Sequence, residues 1–99
     1  MNTTLLTVVA EIIAKPGKEE EVRRHLLHMV EETRKEEGCV QYDLHVVNGA
    51  AGHFVFYETW TSETMLDKHG ASAHISAFRA IAGDLTQAPT RILKATRIA

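Results

Sequence analysis

The 99-residue chain is poor in several things that would each have announced a function. It has one cysteine, two prolines and one tryptophan. A lone cysteine, Cys39, excludes an internal disulfide framework and suits a reducing compartment. No apolar run reaches the roughly 20 residues of a membrane-crossing helix, and no membrane partner is expected. Positive charge is not in excess either: 11 Lys and Arg stand against 13 Asp and Glu, a net charge of −2. That balance offers no electrostatic footprint for nucleic acid. The one basic pair, Arg23-Arg24, sits among glutamates. The N-terminal MNTTLLTVVAEII lacks the basic segment and the small-residue cleavage site of a signal peptide. It reads as the first strand of the fold, and the cytoplasm is the expected location.

Motifs are missing as well. Without GxGxxG or a Walker loop there is no case for a nucleotide cofactor, and without Gly-x-Ser-x-Gly none for a serine hydrolase. HExxH and Cys-x-x-Cys spacings are absent. His25 and His28 lie with Glu21 and Glu32 on a polar stripe, and His69 and His74 are separated by Gly70 with no spacing that makes them face each other. No metal is expected. Cys39 reads as a small buried residue rather than a reactive thiol.

What remains is an ordinary globular composition, 44% hydrophobic and 24% charged, expected to form one domain over residues 1–99. TLLTVVAEIIA, residues 4–14, is a strand with apolar residues on both faces. After Pro16-Gly17, residues 18–37 form a helix burying Val22, Leu26, Met29, Val30 and Thr33, with Gly38 as its terminal glycine. CVQYDLHVV, residues 39–47, is a strand with Val40, Tyr42, Leu44 and Val46 on one face and Cys39, Gln41, Asp43 and His45 on the other. NGAAG turns it into a hairpin with the strand at 53–60. Thr61 or Ser62 caps a short helix ending at His69, and a second runs from Ser72 to Leu85 through Ile75, Phe78 and Ile81. RILKATRI, residues 91–98, alternates as a last strand. The order β-α-β-β-α-β predicts an α+β, ferredoxin-like antiparallel sheet with helices on one face. The other sheet face would then be apolar and open, which predicts a homodimer through the sheets.

Candidate chemistry centres on Glu58. Phe54, Phe56, Glu58 and Trp60 share one strand face, and an ionised acid among aromatics is costly unless partnered. Glu58 could be held by Arg79 or a backbone donor, or could itself orient an imidazole or a substrate hydroxyl. His69, just before Gly70, is the histidine paired with it here. Tyr42 and Trp60 read as core residues whose phenol and indole N–H could also serve as donors to an enolate or phenolate oxygen.

These segments resemble the antibiotic biosynthesis monooxygenase family of small dimeric α/β-barrel proteins. The likeness runs through LLTVVAEIIAKPGK, EEGCVQYDLH, FVFYETW, LDKHGASAHISAF and RILKATRI. LTVVAEI, KPG and KEEGC are closest to the quinol monooxygenase branch. The resemblance implies oxygenation of quinols or anthrone-like polycyclic phenols with O₂ as co-substrate and no flavin, haem or metal, in a pocket between sheet and helices. Carried over by position, it marks Glu58, Trp60, His69, His74, Phe78 and Tyr42. His69 and Arg79 stand where haem-degrading relatives carry a tryptophan and a histidine, so haem degradation is not expected. The resulting expectation has His69 as base held by Glu58, and Trp60 and Tyr42 as oxyanion donors. Phe54, Phe56 and Phe78 would dry a pocket that His74 and Arg79 also line. Two rivals remain: an isomerase of a small phosphorylated hydroxy-ketone anchored by Arg79 or Arg91, and a non-catalytic binding module.

Overall fold

The computed structural model describes residues 4–99, so the first three residues of the expected 1–99 domain lie outside it. Strand β1 (Leu6–Ile13) is followed by helix α1 (Glu19–Thr33), then by strands β2 (Cys39–Val46) and β3 (His53–Trp60). Helices α2 (Glu63–Gly70) and α3 (Ala73–Leu85) precede strand β4 (Arg91–Thr96). The strands form one antiparallel sheet in the order β2-β3-β1-β4, the ferredoxin-like arrangement. The sheet is open at β2 and β4, so a single chain does not close a barrel.

Period-two alternation decides which strand residues meet the helices. Val8, Ala10 and Ile12 of β1 are buried, as are Phe54, Phe56, Glu58 and Trp60 of β3. Against them α1 lays Val22, Leu26, Met29, Val30 and Thr33, the face its sequence period predicts. Each Leu- or Phe-sized side chain so buried contributes roughly 1.5–3 kcal/mol. Three glutamates in the first turn of α1 complement its dipole. Ser62 caps α2 by accepting from Met65 N at 3.2 Å, and Ser72 caps α3 by accepting from Ile75 N at 3.4 Å.

Two local departures matter. Helix α1 stops at Thr33 instead of running to residue 37. Arg34 turns away to donate to Tyr42 O (3.1 Å) and Asp43 Oδ1 (3.0 Å), and residues 34–37 become a turn. Gly38 therefore lies beyond the helix rather than capping it. It still needs to be glycine: its φ is +87°, and a Cβ there would sit 2.3 Å from Met65 Cγ. The second departure is a bulge between Cys39 and Gln41. It makes Cys39 face the core opposite Trp60 and leaves Val40 exposed, the reverse of unbroken alternation.

The far sheet face carries the row Asp43-Tyr57-Val9-Leu93, with His45-Val55-Glu11-Arg91 beside it. Tyr57 and Leu93 are exposed there although large and apolar.

Candidate active site

A cavity of about 780 Å³ lies between the inner sheet face and the helices α2 and α3, within the size range of small-molecule sites. Its apolar wall includes Val8, Ala10, Phe56, Ile75, Phe78 and Ile92. Strand register sets the polar row across its floor: Tyr42 pairs with Glu58, Glu58 with Val8, and Val8 with Lys94. His69 closes the row from the last turn of α2, its ring 5.4 Å from that of Tyr42 and 4.7 Å from that of Trp60. Arg79 and Lys94 line the cavity as well, but Arg79 donates to Gly70 O (3.1 Å) and Lys94 pairs with Glu63 (2.6 Å).

Glu58 is 3% exposed, and its partner is Trp60, whose Nε1–H donates to Oε1 at 2.9 Å. Both residues belong to the same face of β3 two positions apart, so the strand itself brings acid and indole together. Burial raises the Glu58 carboxyl to about 7, only partly offset by the Trp60 hydrogen bond. Trp60 thus has its N–H committed to Glu58 and is fully buried, rather than free to donate into the cavity as expected of it.

The expected His69–Glu58 pair does not form. His69 Nδ1 donates instead to Glu36 Oε2 at 2.8 Å. Glu36 reaches it because α1 ends early and the turn swings the carboxylate beneath α2. His74 Nε2 donates to the same oxygen at 2.7 Å, with the hydroxyl oxygens of Thr33 and Ser72 at 3.1 and 3.3 Å. A carboxylate only accepts, so His69 carries its proton on Nδ1. Nε2 has no protein partner among the described residues, and no described buried side-chain nitrogen or oxygen is left unpaired. Nε2 is therefore not sealed from solvent, and His69 lines the cavity. Desolvation lowers the His69 pKa below its usual 6.5 despite the opposing pull of Glu36. At neutral pH the ring is an uncharged acceptor aimed at the cavity.

Tyr42 is pushed well above the usual phenol range, first by burial and then by the Glu58 charge, so it stays a donor. Burial, with Glu36 nearby, raises the Cys39 thiol and keeps it protonated. Of the other sequence-derived site residues, Phe56, Phe78 and Arg79 line the cavity. Phe54 does not: it is buried in the core opposite Ile12 and Val46. His74 is not in the lining, being turned onto Glu36. Arg91 belongs to the far face, opposite Glu11. Glu36 was missed, since in RKEEG it reads as one more charge at a solvated helix end. The oxygen of Glu36, Nδ1 of His69 and Nε2 of His74 lie within 4.8 Å of one another, a ligand set that could hold a metal ion.

The open ferredoxin-like sheet thus holds an apolar cavity, a histidine backed by a carboxylate and a buried acid whose carboxyl is raised. Comparison with known proteins supplies the class. The family model described as "Antibiotic biosynthesis monooxygenase" matches residues 5–81, and the chain belongs to that family. It is 33% identical over 90 residues to "Putative monooxygenase YcnE" of Bacillus subtilis, covering 91% of this chain and 95% of that one. It is also 33% identical to "Probable quinol monooxygenase YgiN" of Escherichia coli O157:H7, over 91% and 97% of the two chains. Among solved structures, PA3566 from Pseudomonas aeruginosa superposes with a TM-score of 0.93 at 33% identity, covering 100% of both chains.

Proposed function

We propose that this family member is a monooxygenase that oxidises a quinol or an anthrone-like polycyclic phenol with O₂, using no organic cofactor and no catalytic metal. The observation that carries the reading is His69, neutral, fixed by Glu36 and presenting Nε2 to an apolar cavity that also holds Glu58. The naming of YgiN as a probable quinol monooxygenase supports the substrate class.

In this reading His69 Nε2 takes the phenolic proton, and the Tyr42 hydroxyl steadies the resulting oxyanion. The electron-rich anion passes an electron to O₂, and the two radicals join in a carbon–oxygen bond, giving a hydroperoxide. His69, having returned its proton to the peroxide, takes the remaining C–H proton on that carbon, and C=O forms as the O–O bond breaks. Glu58, half protonated near neutral pH, supplies the proton that lets the departing oxygen leave as water. The substrate provides all four electrons: an anthrone and O₂ yield an anthraquinone and water, so no added reductant is needed. The apolar wall keeps water from the anion.

The reading includes a homodimer. Exposed Leu5, Tyr57 and Leu93 on the outer sheet face support a second copy packed there. The single, raised Cys39 thiol is compatible with work in the cytoplasm.

The test is oxygen consumption over a panel of quinols and anthrones, corrected for autoxidation, with chelator present. Wild type is compared with folded His69→Ala. Consumption above background that falls at least about a hundredfold in the variant is expected, the usual scale of general-base catalysis. Equal rates in both proteins refute the base, and rates at background across the panel refute the oxygenase. Turnover of a hydroxy-ketone without oxygen would replace it with an isomerase.

A further inference from the structure

We propose that Glu36, His69 and His74 form a binding site for a divalent transition-metal ion of the zinc class, and that filling it disables the cavity nitrogen of His69. The first half stands on the cluster alone. The second rests on the reading of His69 as the base.

Three separate elements deliver the ligands: the turn after α1, the last turn of α2 and the first turn of α3. They are buried enough to be held and open enough to be reached, with side-chain exposures of 17% for Glu36, 14% for His74 and 8% for His69. Neither Glu36 nor His74 lines the cavity, so an ion enters from outside without crossing the substrate space. Two imidazoles and one carboxylate suit zinc, nickel, cobalt or copper, whereas magnesium and calcium favour all-oxygen shells. With metal–ligand bonds of about 2.0–2.2 Å, tetrahedral neighbours stand about 3.3 Å apart. The carboxylate oxygen is now 2.7 and 2.8 Å from the two nitrogens, so those two edges open by about half an ångström to admit the ion, while the nitrogens, within 4.8 Å of each other, settle to the same spacing. A fourth position can be filled by water or by the Thr33 or Ser72 hydroxyl, each already beside His74 Nε2.

The consequence for His69 follows from counting protons. In the metal-free cluster His69 carries a proton on Nδ1, the nitrogen facing Glu36. The ion takes that nitrogen. The ring proton is then left to the other nitrogen. For His69 that nitrogen is Nε2, which changes from acceptor to donor. It can then no longer accept a phenolic proton, although the cavity wall is unchanged.

Calorimetric titration of metal-stripped protein with ZnCl₂, with MgCl₂ as control, tests the site. One zinc per chain is expected, with affinity at least tenfold weaker in Glu36→Gln and in His74→Ala. The double variant His25→Ala/His28→Ala, which removes the histidine pair on α1, should bind as wild type does. No zinc binding, equal affinity in all variants, or loss in the α1 variant overturns the site. Should Glu36→Gln fail to fold, His74→Ala and His74→Gln decide it by the same criterion. The switch has its own readout: ¹⁵N NMR of His69 should show Nε2 passing from an unprotonated to a protonated shift on zinc addition. An unmoved Nε2 signal at saturating zinc refutes it. Oxygen uptake separates the two readings. Zinc binding without phenol-dependent uptake on any substrate keeps the site and removes the oxygenase, and uptake without zinc binding does the reverse.

Discussion

Replacing Glu58 by glutamine should make the protein more stable above neutral pH while making it a poorer catalyst. An ordinary glutamate titrates near 4.5, and burial raises Glu58 to about 7. Below pH 4.5 the carboxyl is protonated both folded and unfolded, and costs nothing. As pH rises from 4.5 to 7 the unfolded chain ionises while the folded one does not, so wild-type stability falls. Above 7 both forms are ionised and the deficit is constant. At about 1.4 kcal/mol per tenfold step, it reaches about 3 kcal/mol. Glutamine carries no such deficit, and its side-chain oxygen can still accept from Trp60 Nε1. Urea unfolding of wild type and Glu58→Gln at one fixed protein concentration measures the difference. At pH 5 the two should lie within about 1 kcal/mol, and by pH 8.5 the variant should lead by a further 2–3 kcal/mol. A difference that does not change with pH would refute the raised carboxyl. One that grows toward acid would show that Glu58 is held ionised by a charge the structure does not place there. The same variant keeps His69 but cannot protonate the departing peroxide oxygen, so its oxygen consumption should fall well below wild type.

Trp60→Phe removes the donor to Glu58 and should move the carboxyl further above 7, read by ¹³C NMR of the labelled side chain, with a stability loss of at least about 1–3 kcal/mol. An unchanged or lower pKa would sink the account of that hydrogen bond. Gly38→Ala combines a left-handed backbone with a Cβ driven into Met65, and should cost about 2–4 kcal/mol in denaturant unfolding; a neutral outcome would show that the turn relaxes freely. The proposed dimer should fall to monomers by light scattering in Leu93→Glu, in the outer-face row with Val9 and Tyr57, and a mass equal to that of wild type would refute a contact through this row.

The fold was legible because each element declares its period. The α1 face from Val22 to Thr33 and the β3 face from Phe54 to Trp60 emerge as the spacing predicts. The Cys39–Gln41 bulge was not legible, since a bulge is one uncounted residue in an otherwise regular alternation. The site was half legible. Glu58 stood out as an acid among aromatics, and its partner Trp60 lay two residues away, yet the indole was assigned to substrate instead of to the acid. Glu36 was hidden for a different reason. Its partners lie 33 and 38 residues along the chain, and only the early end of α1 brings it to them. Nothing local in RKEEG separates it from Glu37, which is exposed.

The helix that ends four residues short of its charge run also divides the molecule's labour. What fixes the histidine belongs to helix ends and a turn, outside the cavity. What a ligand would touch is contributed mostly by sheet residues, by α3 and the loop after it, with one side of α2 and an exposed edge strand at the rim. A substitution at Ile92, whose side chain only lines the cavity, can therefore reshape what is admitted while the imidazole and its support stay in register. Such a separation gives selection two nearly independent handles, one on appetite and one on reactivity.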